Sequence, residues 1–415
     1  MLRRHDRVSP RGIDVGAALA SSDGPLQRTA STPSSRAKVV LAMVAYTLWQ
    51  HLLQVHRSFV LLRKRFPHQT SFRAMRSSWV YATIVLLGDA GNLIVGLTAP
   101  KLALRTLACA LRMSTTNFRY GPHARNVLDL YGTSMSPSDH LKPVVIFIHG
   151  GAWALSSKFH YGAVGETLER HGIVTVVPSY RTFPHGDVGE MMHDLEAIVK
   201  WTVENIATHG GDPKRITLSG HSSGAHLCAL LLVQSAIRCS RAAPTLANDI
   251  DVVHHIQAFV GLSGPYDITD HYAFEQNREI VPFVRAHSIS PLYPSFHGPR
   301  HFSTFSPTAL VVKDAHLDAR LLPPFHLFHG VDDFVVPLTA SEKFAAHLNQ
   351  IGAKAVVTPF PRGHVEILLA LMDGFPELGA MMLQSFLGVV LMPTMPHGQP
   401  NTATARQVGR NVSKL

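Results

Sequence analysis

From Asn126 onward the chain alternates between short apolar runs and longer stretches of helical periodicity. The runs Asn126–Tyr131, Pro143–Ile148, Ile173–Pro178, Arg215–Ser219, Ala258–Ser263, Phe325–His329 and Ala355–Phe360 are rich in β-branched and aromatic residues. Runs of this length bounded by polar segments predict buried strands. Between them apolar positions recur every three to four residues, most clearly Met191, Met192, Leu195, Ile198, Val199 and Val203, which predicts a helix over Val188–Ala207. Alternating strand and helix predicts an α/β architecture with a doubly wound, mostly parallel sheet. The stretch from Tyr266 to Pro323 is too long for a simple connection and carries seven tyrosines and phenylalanines between Tyr272 and Phe305. It is expected to be a helical cap, about 266–323, that lines an apolar pocket, the alternative being a surface excursion packed for stability alone.

The N-terminal part follows other patterns. Residues 1–37 are rich in Ser, Pro, Gly and Arg without periodicity and are expected to be disordered, as is the tail 391–415. No apolar segment starts near Met1, so a cleaved secretory signal is not expected, and Asp6, Asp14 and Asp23 count against a transit peptide. Within 38–115, Val40, Val44, Leu48, Leu52, Val55, Phe59 and Leu62 mark an amphipathic helix. A second stretch, Trp79–Pro100, is long enough to span a bilayer and is flanked by Arg73, Arg76, Lys101 and Arg105, but Asp89 interrupts it and Gly88, Gly91 and Asn92 weaken it. A span and an interfacial or protein-packed helix both stay open, and membrane association is expected in either case. The catalytic part is placed at 116–390.

Composition narrows the partners. A hydrophobic content of 46% supports a sizeable core, and the net charge of +10 comes largely from arginines in the first hundred or so residues. Basic residues are not interleaved with aromatics as in a nucleic-acid site, so an anionic membrane surface is the expected partner and nucleic acid is not. Cys109, Cys228 and Cys239 have no framework or metal spacing, which points to a reducing compartment. Among 26 histidines there is no His-Glu-x-x-His pattern, His254-His255 reads as solvated or capping, and neither metal nor cofactor is expected.

The chemistry-bearing motifs fall at strand ends. Gly220-His221-Ser222-Ser223-Gly224 lies between the run ending at Leu218 and an apolar helix from Ala225 to Gln234, the setting of a nucleophile elbow. About seventy residues earlier, His149-Gly150-Gly151-Ala152-Trp153 follows the run Val144–Ile148 in the manner of an oxyanion loop. Backbone N–H groups of Gly150, Gly151 or Ala152 and of Ser223 are the candidate donors. Further on, His329-Gly330-Val331-Asp332-Asp333 supplies a candidate acid, and His364 after Pro361-Arg362-Gly363 a candidate base. In that order a serine can attack an acyl carbon while the histidine takes its proton and the acid fixes the tautomer. Each motif has a plainer reading: Gly-Gly as a turn, His149 as a structural histidine, Ser222 as a helix cap.

Further runs carry a family likeness: Tyr120-Gly121, Arg125-Asn126-Val127-Leu128-Asp129-Leu130-Tyr131, Tyr180-Arg181-Thr182-Phe183-Pro184, Gly210-Gly211-Asp212-Pro213, Ser222-Ser223-Gly224-Ala225-His226, Phe305-Ser306-Pro307 and Leu322-Pro323-Pro324. With the glycine motifs, these make residues from about Tyr120 to Leu371 resemble the hormone-sensitive-lipase-like and carboxylesterase side of the α/β-hydrolases, and within it the isoprenylcysteine methylesterases. The resemblance implies an α/β-hydrolase fold with an apolar N-terminal helical extension. It also implies Asp333 as the acid in preference to Asp332, and a triad of Ser222, Asp333 and His364. The implied reaction is hydrolysis of the methyl ester of a prenylated cysteine, in a small molecule or a protein, at an endoplasmic reticulum or Golgi membrane with the catalytic part in the cytosol. Trp153, His221 and Arg181 become candidate substrate contacts, Arg181 alternatively pairing with a nearby carboxylate. His221, Ser223 and Glu366 depart from the Gln, Ala and Asp that plant members tend to have. Kynurenine formamidase, a general small-ester carboxylesterase, and an inactive binding module on the same fold are the alternatives.

Overall fold

The computed structural model describes residues 33–111, 117–134, 140–241, 250–281, 284–373 and 375–392. The expected disorder of residues 1–32 and 393–415 therefore lies outside the described residues. The chain divides into two compact units, Met1–Gln50 and His51–Leu415, and the sheet with its covering layers belongs to the second.

Helices α1 (Pro33–Arg65), α2 (Ser71–Thr98) and α3 (Pro100–Ala110) occupy the N-terminal region. Helix α1 begins inside the segment expected to lack structure. The elements that follow are β1 (Phe118–Arg119), β2 (Val127–Tyr131), β3 (Lys142–Ile148), α4 (Gly162–Glu169), β4 (Val174–Ser179), α5 (Val188–Asn205), β5 (Gly211–His221), α6 (Ser223–Ser240) and β6 (Ile256–Leu262). The cap comprises α7 (Ile268–Asn277), a hairpin of β7 (Glu279–Val281) and β8 (Val284–Arg285), α8 (Leu292–Ser295) and α9 (Pro307–Lys313). Beyond it come β9 (Phe325–Gly330), α10 (Thr339–Gln350), β10 (Ala355–Phe360), α11 (Glu366–Leu371) and α12 (Pro376–Val390).

Eight strands form one sheet in the order β1-β2-β4-β3-β5-β6-β9-β10. The pairings β1 with β2 and β2 with β4 are antiparallel, and the others are parallel. Strand β1 escaped the pattern reading because two residues carry no period. Strand β5 reaches back to Gly211, four residues before the expected start, because Gly211 pairs with Lys142 across an irregularity in the register. Helix α5 ends at Asn205 and passes into a tighter turn before Gly210 at φ 84°. Its start is fixed by a capping box in which Asp187 Oδ1 accepts from the Glu190 N–H (3.0 Å) and Glu190 Oε2 from the Asp187 N–H (3.1 Å), an arrangement worth about 1 kcal/mol.

Alternation along the strands sorts the core into two layers. Val144, Ile146 and Ile148 of β3 pack with α5 and α6, whereas Val145 and Phe147 pack with α3, α4, α11 and α12. Both faces being covered is what makes the strand sequences continuously apolar rather than alternating. Parallel register places Gly220 beside Gly261, Leu262 beside Phe328 and Gly330 beside Phe360. The loops after β5, β9 and β10 therefore open at one edge, where ligands bind in sheets of this kind.

In the first half of the 79–100 stretch, Val80, Ala82 and Ile84 of α2 are buried, whereas Trp79, Leu86, Leu87 and Asp89 face solvent. Among the described residues no helix is long and apolar enough to cross a membrane. The cap also corrects an expectation. Phe296 and Phe302 are buried, and Phe296 packs edge-on against Phe302, Phe305 and Trp153, so these rings form the cap's own core instead of lining an open pocket.

Candidate active site

Strand β5 ends at His221 and α6 begins at Ser223, which leaves Ser222 alone in the turn with φ 54° and ψ −123°. A Cβ on Gly220 would lie 2.6 Å from the Gly224 carbonyl carbon, and one on Gly224 would lie 2.4 Å from the Ile148 oxygen and 2.5 Å from the His149 oxygen. Neither neighbour can carry a side chain. A positive φ at a non-glycine residue costs roughly 1–2 kcal/mol, and Ser222 is held there by its N–H bond to the Leu262 carbonyl (2.8 Å) and by α6, thirteen of whose residues are buried.

The two adjacent aspartates have different surroundings. Asp332 is exposed, whereas Asp333 is buried, with Oδ1 accepting from the N–H groups of Val335 (2.9 Å) and Val336 (2.8 Å) and Oδ2 lying 2.7 Å from His364 Nδ1. His329 Nε2 approaches the same Oδ2 at 3.4 Å. Burial alone would raise the Asp333 pKa, but the bonds from His329 and His364 and the Val336 amide hold it well below the usual carboxylate range. A bond to the ionised acid keeps the His364 proton on Nδ1 and leaves Nε2 as the basic nitrogen. His364 stands beside the elbow: its carbonyl accepts from His221 Nε2 (3.0 Å), and the two rings are 4.9 Å apart.

The oxyanion-loop candidates separate into two kinds. Gly150 does not serve as a donor, because its N–H is committed to the Tyr161 hydroxyl at 2.9 Å. The N–H groups of Gly151, Ala152 and Ser223 have no acceptor among the described residues. Gly151, Ala152 and Trp153 all have positive φ, at 121°, 50° and 59°, which turns successive peptide groups in the same sense. Bonds from Arg125 to the Tyr180 and Ser156 carbonyls (2.8 and 2.6 Å) and from the Tyr180 hydroxyl to the His149 carbonyl (2.9 Å) fix the shape of this loop. The loop also meets the elbow, since a Cβ on Gly150 would sit 3.1 Å from Ser222 Cβ.

The three candidate substrate contacts are engaged within the protein. Trp153 is buried, and its indole N–H donates to His226 Nδ1 at 3.2 Å. His221 donates to the His364 carbonyl and lies 3.3 Å from the Tyr161 hydroxyl, and burial holds it at a pKa of about 3, hence neutral. Arg181 donates through Nε and Nη2 to Asp194 (2.7–3.1 Å) and through Nη1 to Glu190 (3.0 Å), so the carboxylate-pairing alternative describes it. Sequence reasoning missed Tyr161, which lies outside the quoted motifs, and gave no role to His329 or His226, although both were in plain view in His329–Asp333 and Ser222–His226. His226 Nε2 donates to the Phe305 carbonyl at 2.7 Å and ties the elbow helix to the cap.

Away from this edge, Cys239, Asp251 and His254 bring three potential metal-donor atoms within 4.8 Å of one another. They lie at and beyond the far end of α6 and touch none of the groups above.

Residues 128–348 match the BD-FAE family. The chain is 35% identical to the isoprenylcysteine alpha-carbonyl methylesterase of Arabidopsis thaliana over 60% of its own length and 56% of the relative's. It is 34% identical to a probable isoprenylcysteine alpha-carbonyl methylesterase of Oryza sativa subsp. japonica, over 60% and 58%, and 30% identical to the esterase LipQ of Mycobacterium tuberculosis, over 66% and 62%. The chain thus spans a little over half the length of the curated relatives it matches. In fold it is similar to esterase B from Lactobacillus rhamnosis, with a TM-score of 0.53 at 19% identity over 73% of this chain and 96% of that one. An esterase of Pyrobaculum calidifontis gives 0.52 at 17% identity over 72% and 94%.

The Arg181 network has a measurable consequence. Arg181→Leu leaves the Asp194 carboxylate buried without its partner, which is expected to cost about 3–5 kcal/mol and lower the urea midpoint. A variant with unchanged stability and a raised KM would return Arg181 to the substrate.

Proposed function

The chain belongs to the BD-FAE family of α/β-hydrolases, and from that membership we propose that it is a serine carboxylic-ester hydrolase. Ser222 is the nucleophile, His364 carries the proton from the serine to the leaving alkoxide, and Asp333 orients the imidazole and stabilises its charged form. The observation that supports this most is the 2.7 Å bond between His364 Nδ1 and an Asp333 carboxylate already anchored by two backbone amides, beside the elbow that carries Ser222. Gly151, Ala152 and Ser223 supply the N–H groups for the tetrahedral oxyanion, where one lost donor typically costs about 10²–10³ in rate.

For substrate we propose the methyl ester of a prenylated cysteine, released as a carboxylate and methanol. The support is the family-like motifs together with the relatives named for isoprenylcysteine methylesterase activity. A cavity of about 300 Å³ has an apolar side for the isoprenoid, formed by Leu62, Phe66, Pro67, Phe183 and Pro294, while Arg65, His68, Gln69, Ser77 and His297 border the rest. Phe183 links it to the oxyanion loop, since its N–H donates to the Trp153 carbonyl (2.8 Å).

We also propose that the enzyme works at an intracellular membrane surface. Helices α2 and α3 expose Phe72, Trp79, Leu87, Leu104 and Leu107, with Arg73 and Arg76 alongside on α2. Apolar side chains flanked by arginines suit an anionic lipid surface.

Four measurements test these readings. Ser222→Ala is expected to abolish labelling by a fluorophosphonate probe and to lower ester hydrolysis by roughly 10³–10⁶. Asp333→Asn is expected to cost about 10⁴ in turnover and Asp332→Asn far less, and the reverse order would reassign the acid. Farnesylcysteine methyl ester is expected to exceed cysteine methyl ester in kcat/KM by at least about a hundredfold, because each buried CH₂ contributes roughly 0.8 kcal/mol before ordering losses. Equal turnover of the two, or faster turnover of N-formylkynurenine, would remove the prenyl assignment. Full-length protein is expected to sediment with membranes and to be released by carbonate, as a surface helix is. Complete recovery in the untreated supernatant refutes the membrane reading.

A further inference from the structure

The buried face of α7 carries apolar Ile268 in its first turn and a stripe of polar residues after it. His271 and Glu275, one turn apart, are 7% and 9% exposed, while Ala273, Gln276 and Asn277 face solvent, and half-buried Arg278 follows at the helix end. A surface helix ordinarily buries its apolar side, and a polar group removed from water without a partner is costly. Yet His271 Nδ1, Glu275 Oε2 and Arg278 Nε all lack a hydrogen-bond partner among the described residues. His271 Nε2 is 3.7 Å from Glu275 Oε1, too far for a hydrogen bond.

The stripe reaches from one catalytic loop to another. The His271 ring stands edge-on to Trp153, with centroids 6.2 Å apart, and Trp153 directly follows Gly151 and Ala152. At the other end Arg278 Nη1 donates to the carbonyl of Phe334, the residue after Asp333. Burial holds His271 at a pKa of about 3, with the charges of Arg278, His364 and His226 acting in the same direction and Asp333 opposing them, so the imidazole is neutral. Burial raises Glu275 to about 7, against a hydrogen bond from Ser290 and the charge of Arg278.

The three unpaired atoms define a complement. With its proton on Nε2, towards Glu275, His271 presents an acceptor at Nδ1, Glu275 presents another at Oε2, and Arg278 Nε is a donor. An amide can give its N–H to one of the two acceptors and take the Arg278 Nε–H on its C=O, which pairs two of the three atoms. A plain hydrocarbon chain leaves all three unpaired, and an ammonium group meets the charge of Arg278.

We propose that His271, Glu275 and Arg278 form a subsite for an amide group on the acyl part of the substrate, so that esters of N-acylated amino acids are preferred to simple esters. The subsite rests on the serine-esterase reading.

The test measures kcat/KM of the full-length protein on three methyl esters that share one farnesyl thioether. N-acetyl-S-farnesylcysteine methyl ester carries the amide, S-farnesylcysteine methyl ester the amine, and methyl 3-(farnesylthio)propanoate no nitrogen. The amide ester is expected to exceed the nitrogen-free ester by at least about tenfold, because a site built to hydrogen-bond a polar group rejects the analogue lacking it. The amine ester is expected to fall below the amide. Glu275→Leu and His271→Phe are expected to bring the ratio of amide to nitrogen-free ester close to one, while Glu275→Gln, which keeps an acceptor oxygen, retains part of it. Each ratio compares two substrates on one preparation, so a variant's folded fraction cancels. Equal wild-type turnover of the amide and nitrogen-free esters, preference for the amine, or a ratio unchanged in Glu275→Leu overturns the subsite. If p-nitrophenyl butyrate is also inert, the esterase reading falls and the subsite with it, whereas its turnover beside equal rates on the other esters overturns the subsite alone.

Discussion

The close approach of Gly224 to the carbonyls of Ile148 and His149 is the constraint on which the site depends. At 2.4–2.5 Å from a would-be Cβ, it joins the start of α6 to the end of β3 without intervening side chains. Ser222 and the oxyanion loop are thereby set against each other by backbone contact. Rotamers elsewhere can relax, but this junction has no soft degree of freedom, and the sheet on one side and the buried length of α6 on the other supply the packing that sustains the left-handed turn.

A second layer of order comes from histidines that are not themselves expected to react. The Gly150 N–H donates to Tyr161, the Tyr161 hydroxyl to His221 Nδ1, and His221 Nε2 to the His364 carbonyl. The chain of bonds runs from the glycine loop at 149–153 to the backbone of His364, and Tyr161 and His221 are buried, so solvent does not compete. This chain accounts for the departure at position 221. A glutamine side chain also offers one acceptor and a donor at its tip, so the Gln that the resemblance implies for this position could fulfil the same requirement as His221. Gly150, although part of the glycine motif, serves this scaffold and leaves its two successors free.

The sequence made the sheet readable because both faces of its strands are covered, which produced continuous apolar runs, and the motifs readable because backbone clashes dictate glycine at Gly220 and Gly224. Those signals are local. The pairing of Arg181 with Asp194, the service of His329 to Asp333 and the commitment of Gly150 to Tyr161 depend on which side chains meet across separate elements, and spacing does not encode that. The cap was misread for a related reason. Its aromatic residues announced burial but not whether they bury against substrate or against each other, and the polar stripe of α7 sits on a helix too mixed in character to be singled out. Asp89 in α2 was a legible signal, since a carboxylate midway along an apolar helix belongs on a solvated face.

The bond between His226 and the Phe305 carbonyl joins the cap to the elbow helix, and further fastenings accompany it. Arg278 grips the acid loop, Lys343 pairs with Asp270 at 2.6 Å, and the Ser306 hydroxyl accepts from the Ile268 N–H within the cap. A roof secured at its centre and at its edge is a wall and not a shutter. On the proposed reading, traffic of ester and acid past such a roof would call for rotation of individual side chains at its rim, a motion of picoseconds to nanoseconds, rather than the slower swing of a hinge. On that same reading the catalytic geometry is assembled before substrate arrives, and a lipid–water boundary would serve as a place to find substrate, not as a trigger that opens the site.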